Sequence, residues 1–268
     1  MDGLTTGCRA RMMGHKEEAM PPVLRLPVLL LVALLLAARP TSAQPAVPSA
    51  DLVLGIAAYN KGDFAGAFRL LNAAAASGEA EAMVNLGYLY ARGQGVRADS
   101  AFALQLYRRA AEAGDPEGMN AVGFRYNFAA PPDYPNAIRW YCRAILRGNP
   151  RAMNNAAILF FNGQGIPRDR DEARSLWAQS AKLGHLNGMS NLGADIAGDA
   201  TMPDAERAAG RLMVRRAAEQ GSALAQDILR RWGDSGPFPP AFDASLAMKI
   251  EPRDPPPGAS IACESLIS

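Results

Sequence analysis

The chain has 268 residues, a formal charge of +2, 49% apolar residues and only 7% aromatic ones. That length allows one large domain or two small ones, and abundant alanine with few aromatics favours closely packed helices over sheets. Residues 1–43 carry five basic and three acidic side chains, so the remainder is neutral; no long-range field draws it to phosphate backbones, and no nucleic-acid partner is expected.

The first feature along the chain is the apolar run Leu26–Ala38, thirteen residues flanked by Arg25 and by Arg39-Pro40-Thr41-Ser42-Ala43. As a helix it would span about 20 Å, short of the roughly 30 Å hydrocarbon core of a bilayer. Thr41 and Ala43 suit signal-peptidase cleavage before Gln44. Residues 1–43 are therefore expected to be a removable export signal, with Met13 or Met20 as alternative starts; an uncleaved anchor is the weaker reading. No second long apolar run follows, so no membrane insertion is expected after cleavage, and the expected destination is the periplasm.

Downstream the sequence repeats itself. A small residue before methionine recurs at Ala82-Met83, Gly118-Met119, Ala152-Met153 and Gly188-Met189, at spacings of 36, 34 and 36. A closing glycine recurs at Gly78, Gly114, Gly148, Gly184 and Gly221, at spacings of 36, 34, 36 and 37. The landmarks keep phase and define units at 79–114, 115–148, 149–184 and 185–221, with a degenerate unit at 51–78 and a capping helix at 222–232. In the first full unit Met83, Leu86 and Tyr90 share one helical face. Gly93-Gln94-Gly95 breaks the chain, Asp99 or Ser100 is placed to cap a second helix, and Ala103, Leu106, Tyr107 and Ala110 form its apolar stripe. Each unit is expected to be two antiparallel helices.

Gly163-Gln164-Gly165-Ile166, with Asp169, Ala173, Trp177 and Ala181, repeats Gly93-Gln94-Gly95-Val96, with Asp99, Ala103, Tyr107 and Ala111. This pattern resembles the Sel1-like repeat, a relative of the tetratricopeptide repeat, over about residues 79–221. The resemblance implies an all-α, right-handed α-solenoid whose concave side is lined by the first helix of each unit and binds a protein or peptide. Two units depart from the pattern, with Ala129–Pro135 and Gly198–Pro203 in place of Gly-x-Gly. Residues 233–268 are proline-rich and read as an extended tail, with a short helix near 244–248.

No set of side chains points to catalysis, a metal or a cofactor. Gly93-x-Gly95 and Gly163-x-Gly165 lack the third glycine and the Lys-Ser/Thr pair of phosphate loops. Gly188-x-Ser190 begins a nucleophile elbow, but Leu192 stands where its closing glycine belongs and His185 is the one base at hand. Asp169, Asp171 and Glu172 read as complements to a helix dipole. The competing reading is an enzyme or enzyme accessory acting on cell-wall material.

Asn85, Asn155 and Asn191 occupy equivalent positions in the first helices, with Asn120 and Asn154 one position earlier. Asparagine forms helices poorly, so its recurrence needs a reason: it either bonds the neighbouring unit or, as the resemblance implies, contacts a ligand from the concave face. Tyr88 and Phe124 are equivalent to each other and read either as binding anchors or as core. Cys142 aligns with Arg108 and is expected at the surface. Whether it pairs with Cys263 stays open, two free thiols being the favoured reading.

Overall fold

A computed structural model describes residues 47–233 together with Cys263 and Leu266. The export signal expected at 1–43 and the short helix expected near 244–248 lie outside the described residues. Eleven α-helices, and no strand, occur among the described residues. They are α1 (Ala50–Asn60), α2 (Phe64–Ala76), α3 (Ala80–Arg92), α4 (Ser100–Glu112), α5 (Pro116–Asn127), α6 (Tyr134–Ile145), α7 (Pro150–Asn162), α8 (Arg170–Lys182), α9 (Leu186–Gly198), α10 (Asp204–Glu219) and α11 (Ala223–Arg231).

Capping residues recur with the repeat. Asp63, Asp99, Asp133 and Asp169 each accept a hydrogen bond from the backbone N–H three residues on, at 2.8–3.1 Å. They satisfy one of the free donors at the start of α2, α4, α6 and α8; at α4 the cap is Asp99 rather than Ser100. Asp115, Asn149, His185 and Ser222 cap α5, α7, α9 and α11 in the same way. Within a pair the helices approach closely because small residues face large ones. A Cβ at Gly87 would lie 2.4 Å from the Tyr107 ring, and one at Gly123 would lie 2.7 Å from the Tyr141 ring.

The pairs stack in chain order as an α-solenoid. The first helices α1, α3, α5, α7, α9 and α11 each touch the next of their kind, while the second helices α2, α4, α6, α8 and α10 touch none of theirs. An array closer on one side than on the other bends, so the first helices form the inner, concave layer.

Three of the connectors within units also join the preceding unit, in two ways. Gly95 has φ +69°, and a Cβ there would lie 2.2 Å from the Phe64 carbonyl oxygen; Gly165 has φ +73°, and its Cβ would lie 2.4 Å from the Tyr134 Cβ. Each Gly-x-Gly connector therefore lies directly on the start of the preceding unit's second helix. The connector after α9 lacks these glycines and is tied by charge instead. Asp195 and Asp199 pair with Arg170 and Arg174 of α8 at 2.5–3.1 Å. The Thr201 hydroxyl and Arg174 hold the Asp199 carboxyl below the usual carboxylate range.

Cys142 is a correction to the sequence reading. It is fully buried rather than exposed, and it is joined to Cys263 by a disulfide. Arg108, at the equivalent position of α4, is exposed. At α6, Cys263 joins the buried core cluster and Leu266 packs against it, so C-terminal residues cover a site that the sister unit leaves open.

Comparing two glycines tests the connector geometry. Gly78 also has positive φ, but a Cβ there would meet nothing within 4 Å. Gly78→Ala should cost about 1 kcal/mol, the backbone penalty alone. Gly95→Ala should cost about 3 kcal/mol, because overpacking adds to it. Denaturant titration of both variants measures the difference.

Candidate functional site

The inner face is built from columns of residues one repeat apart. Glu81, Glu117, Arg151 and Asn187 form one column, and Tyr88, Phe124, Ile158 and Ala194 form another. Glu117 sits in the first turn of α5, where its charge complements the helix dipole. It accepts hydrogen bonds from the Tyr88 hydroxyl (2.5 Å), Asn120 Nδ2 (3.3 Å), Asn149 Nδ2 (3.0 Å) and the Arg151 guanidinium (3.0 Å). One carboxylate thus joins α3, α5 and the start of α7. Burial, and then the Glu117 charge, raises the Tyr88 hydroxyl far above its ordinary pKa, so it remains a donor.

From Glu117 the asparagines continue across the units. Asn155 Nδ2 donates to Asn120 Oδ1 at 3.0 Å, Asn154 Nδ2 to Asn155 Oδ1 at 3.3 Å, and Asn191 Nδ2 to Asn154 Oδ1 at 2.9 Å. The result is a ladder through α5, α7 and α9, with Asn120 and Asn154 themselves buried. Asn85 stands apart, bonding the Glu81 carbonyl of its own helix. Four of the five asparagines are therefore committed to one another and to Glu117.

The equivalent aromatics differ. Tyr88 is half-buried and held by Glu117, whereas Phe124 is 46% exposed and stacks with Phe128, itself 67% exposed, at a ring separation of 4.4 Å. The inner face therefore presents an exposed apolar pair beside a polar network already satisfied.

Residues with catalytic potential are engaged elsewhere. The Ser190 hydroxyl is buried within α9 and donates to the Leu186 carbonyl at 2.7 Å. His185 caps α9 through Nδ1, 3.3 Å from the Gly188 N–H and 3.1 Å from Ser180 Oγ, and burial lowers its pKa. Asp169 caps α8; burial and then the Asp169 charge push the Glu172 carboxyl up to about 7.

Three residues of the first helices escaped sequence reasoning. Glu117 and Arg151 were visible as opposite charges one repeat apart in the same column, and Arg125 as an arginine where the sister units carry Leu89 and Leu159. Both leucines are fully buried.

A family model described as Sel1 repeat matches residues 80–115, 116–149 and 150–185. Among solved structures, a Sel1 repeat protein from Oxalobacter formigenes is 26% identical with a TM-score of 0.58, covering 81% of this chain and 90% of that one. A protective antigen of uropathogenic Escherichia coli strains, described as displaying an SLR fold, is 25% identical with a TM-score of 0.51. That alignment covers 76% of this chain, which spans only 44% of the antigen's length. No curated protein matches the chain in sequence.

Two substitutions test the electrostatics. Glu117→Ala strands several donors and should lower stability by about 2–3 kcal/mol, with Glu117→Gln intermediate, both read by denaturant titration. Glu172 behaves oppositely: its folded pKa lies above the unfolded value, so the unfolded state releases its proton first as pH rises. Ionised Glu172 is thus destabilising above about pH 7, and Glu172→Gln should gain in stability over the parent between pH 5 and pH 8. Melting curves at the two pH values check the sign.

Proposed function

We propose that this Sel1-repeat protein is an exported, non-catalytic scaffold that binds a partner protein on the inner face of its solenoid. Sel1 repeats generally mediate protein–protein interactions. The observation that carries the reading is the stacked, exposed pair Phe124–Phe128 on the layer formed by the first helices. Rigid aromatics bury large area at little entropic cost, which makes them effective binding anchors.

Export draws support from two separate features. One is the apolar run and small-residue site ending at Ala43; the other is the Cys142–Cys263 disulfide, a bond that persists in oxidising compartments. A periplasmic address fits both. Among the described residues no helix is long and apolar enough to cross a membrane.

Site-specific photo-crosslinking in the native envelope tests the binding face. A crosslinker at position 128 should capture a discrete partner, while one at Arg109, exposed on the outer helix α4, should not; capture only from position 109 would contradict the reading. Intact mass of the same protein should correspond to a chain beginning at Gln44. A chain retaining residues 26–43 would remove the export reading.

A further inference from the structure

Arg125 is out of keeping with its position. Leu89 and Leu159 fill the same place in the units before and after it, and both are fully buried. A guanidinium in a leucine site loses hydration and needs acceptors in return. Its Nε is buried without any hydrogen-bond partner, and no ion pair to Arg125 forms among the described residues. Among the described residues the fold therefore leaves the Arg125 charge without a counter-ion.

A second cation stands in the neighbouring column: Arg92 lies one repeat before Phe128, as Tyr88 does before Phe124. Arg92 is exposed at the end of α3, donates to the Tyr59 hydroxyl at 2.6 Å and lies 5.6 Å from the centre of the Tyr88 ring. It too has no carboxylate partner among the described residues. The Tyr88 and Tyr107 rings are 5.6 Å apart. Burial raises the Tyr107 hydroxyl above its ordinary pKa, and the charges of Arg125 and then Arg92 draw it back. Phe124, next in sequence to Arg125, carries the exposed stack with Phe128.

The chemistry of an occupant follows from what is committed and what is free. An extended peptide is gripped through its main chain, chiefly by side-chain amides, but Asn120, Asn154, Asn155 and Asn191 already bond one another or Glu117. What remains free is apolar surface and two unneutralised arginines. An amphipathic helix satisfies its own main chain, and so asks of its partner only an apolar contact and countercharge.

We propose that the patch formed by Arg92, Arg125, Phe124 and Phe128 receives an acidic amphipathic helix of a partner protein, one carboxylate between the arginines and apolar side chains against the phenylalanines. This rests on the inner-face reading above and adds the charge and secondary structure of the partner segment.

The test uses the full oxidised chain and two fluorescein-labelled amphipathic helical peptides, one with leucine along one face and glutamate along the other, and a second with glutamine replacing every glutamate. The glutamate peptide should bind roughly tenfold more tightly, as a charge-assisted contact of this kind supplies. Arg125→Leu, which restores the sister-unit residue, should erase that preference without lowering the melting temperature; Phe124→Ala should weaken both peptides. Equal binding of the two peptides, still sensitive to Phe124→Ala, would overturn the carboxylate proposal and leave the inner-face reading standing. Binding indifferent to both substitutions, or no binding of either peptide, would overturn both. Self-association of the chain that Arg125→Leu abolishes, or an internal crosslink from position 124 to residues 234–262, would assign the patch another occupant and overturn the proposal as well.

Discussion

The joint between neighbouring units is the constraint on which the rest of this structure depends. A single helix pair of about a dozen residues per helix buries too little surface to stand alone, so stability must come from stacking. Each joint has to satisfy two layers at once: first helices in direct contact on the inner side, and connectors laid over the preceding second helix. On the connector side the close approach is made by backbone where Gly95 and Gly165 permit it. At the connector after α9, which lacks the glycines, the four-membered cluster of Arg170, Arg174, Asp195 and Asp199 does the same job. Buried ion pairs are a poor source of net stability but a strict source of geometry, which suits a position whose task is to fix one unit against the next.

On the inner side the joint is polar. In the ladder from Glu117 through Asn120, Asn155, Asn154 and Asn191, the Asn155–Asn120 and Asn191–Asn154 bonds cross from one unit to the next, and the bonds of Asn120 to Glu117 and of Asn154 to Asn155 link them within a helix. Those amides are engaged in the joint, so under the proposed scaffold reading a partner would meet the Phe124–Phe128 stack and the neighbouring arginines instead.

The repeat itself was legible in the sequence, because two landmarks kept the same phase and the helical spacing ran between them. The Gly-x-Gly breaks, a cap at Asp99 or Ser100, and the recurring asparagines of the first helices all follow from residue type at a fixed interval. What the sequence left open was long-range. Asparagine 120 bonding asparagine 155, thirty-five residues away, cannot be told from a ligand contact by spacing alone, since both readings want the same residue on the same face. Cys142 misled for a related reason: its sister residue Arg108 is exposed, but only the fold shows that Cys263 and Leu266 come back over α6. Arg125 could have been found by reading down the column of Leu89 and Leu159, where a charge among buried leucines stands out.

The central claim is that the asparagine ladder belongs to the joint, and a double-mutant cycle on Asn120 and Asn155 tests it most directly. Each alanine variant alone should lower unfolding stability, and the pair together should lose less than the two single losses added, leaving a coupling of about 1 kcal/mol for residues in separate units. Strictly additive losses would show that the two amides do not act on each other, and would contradict the account of how the inner face is held and what it leaves free.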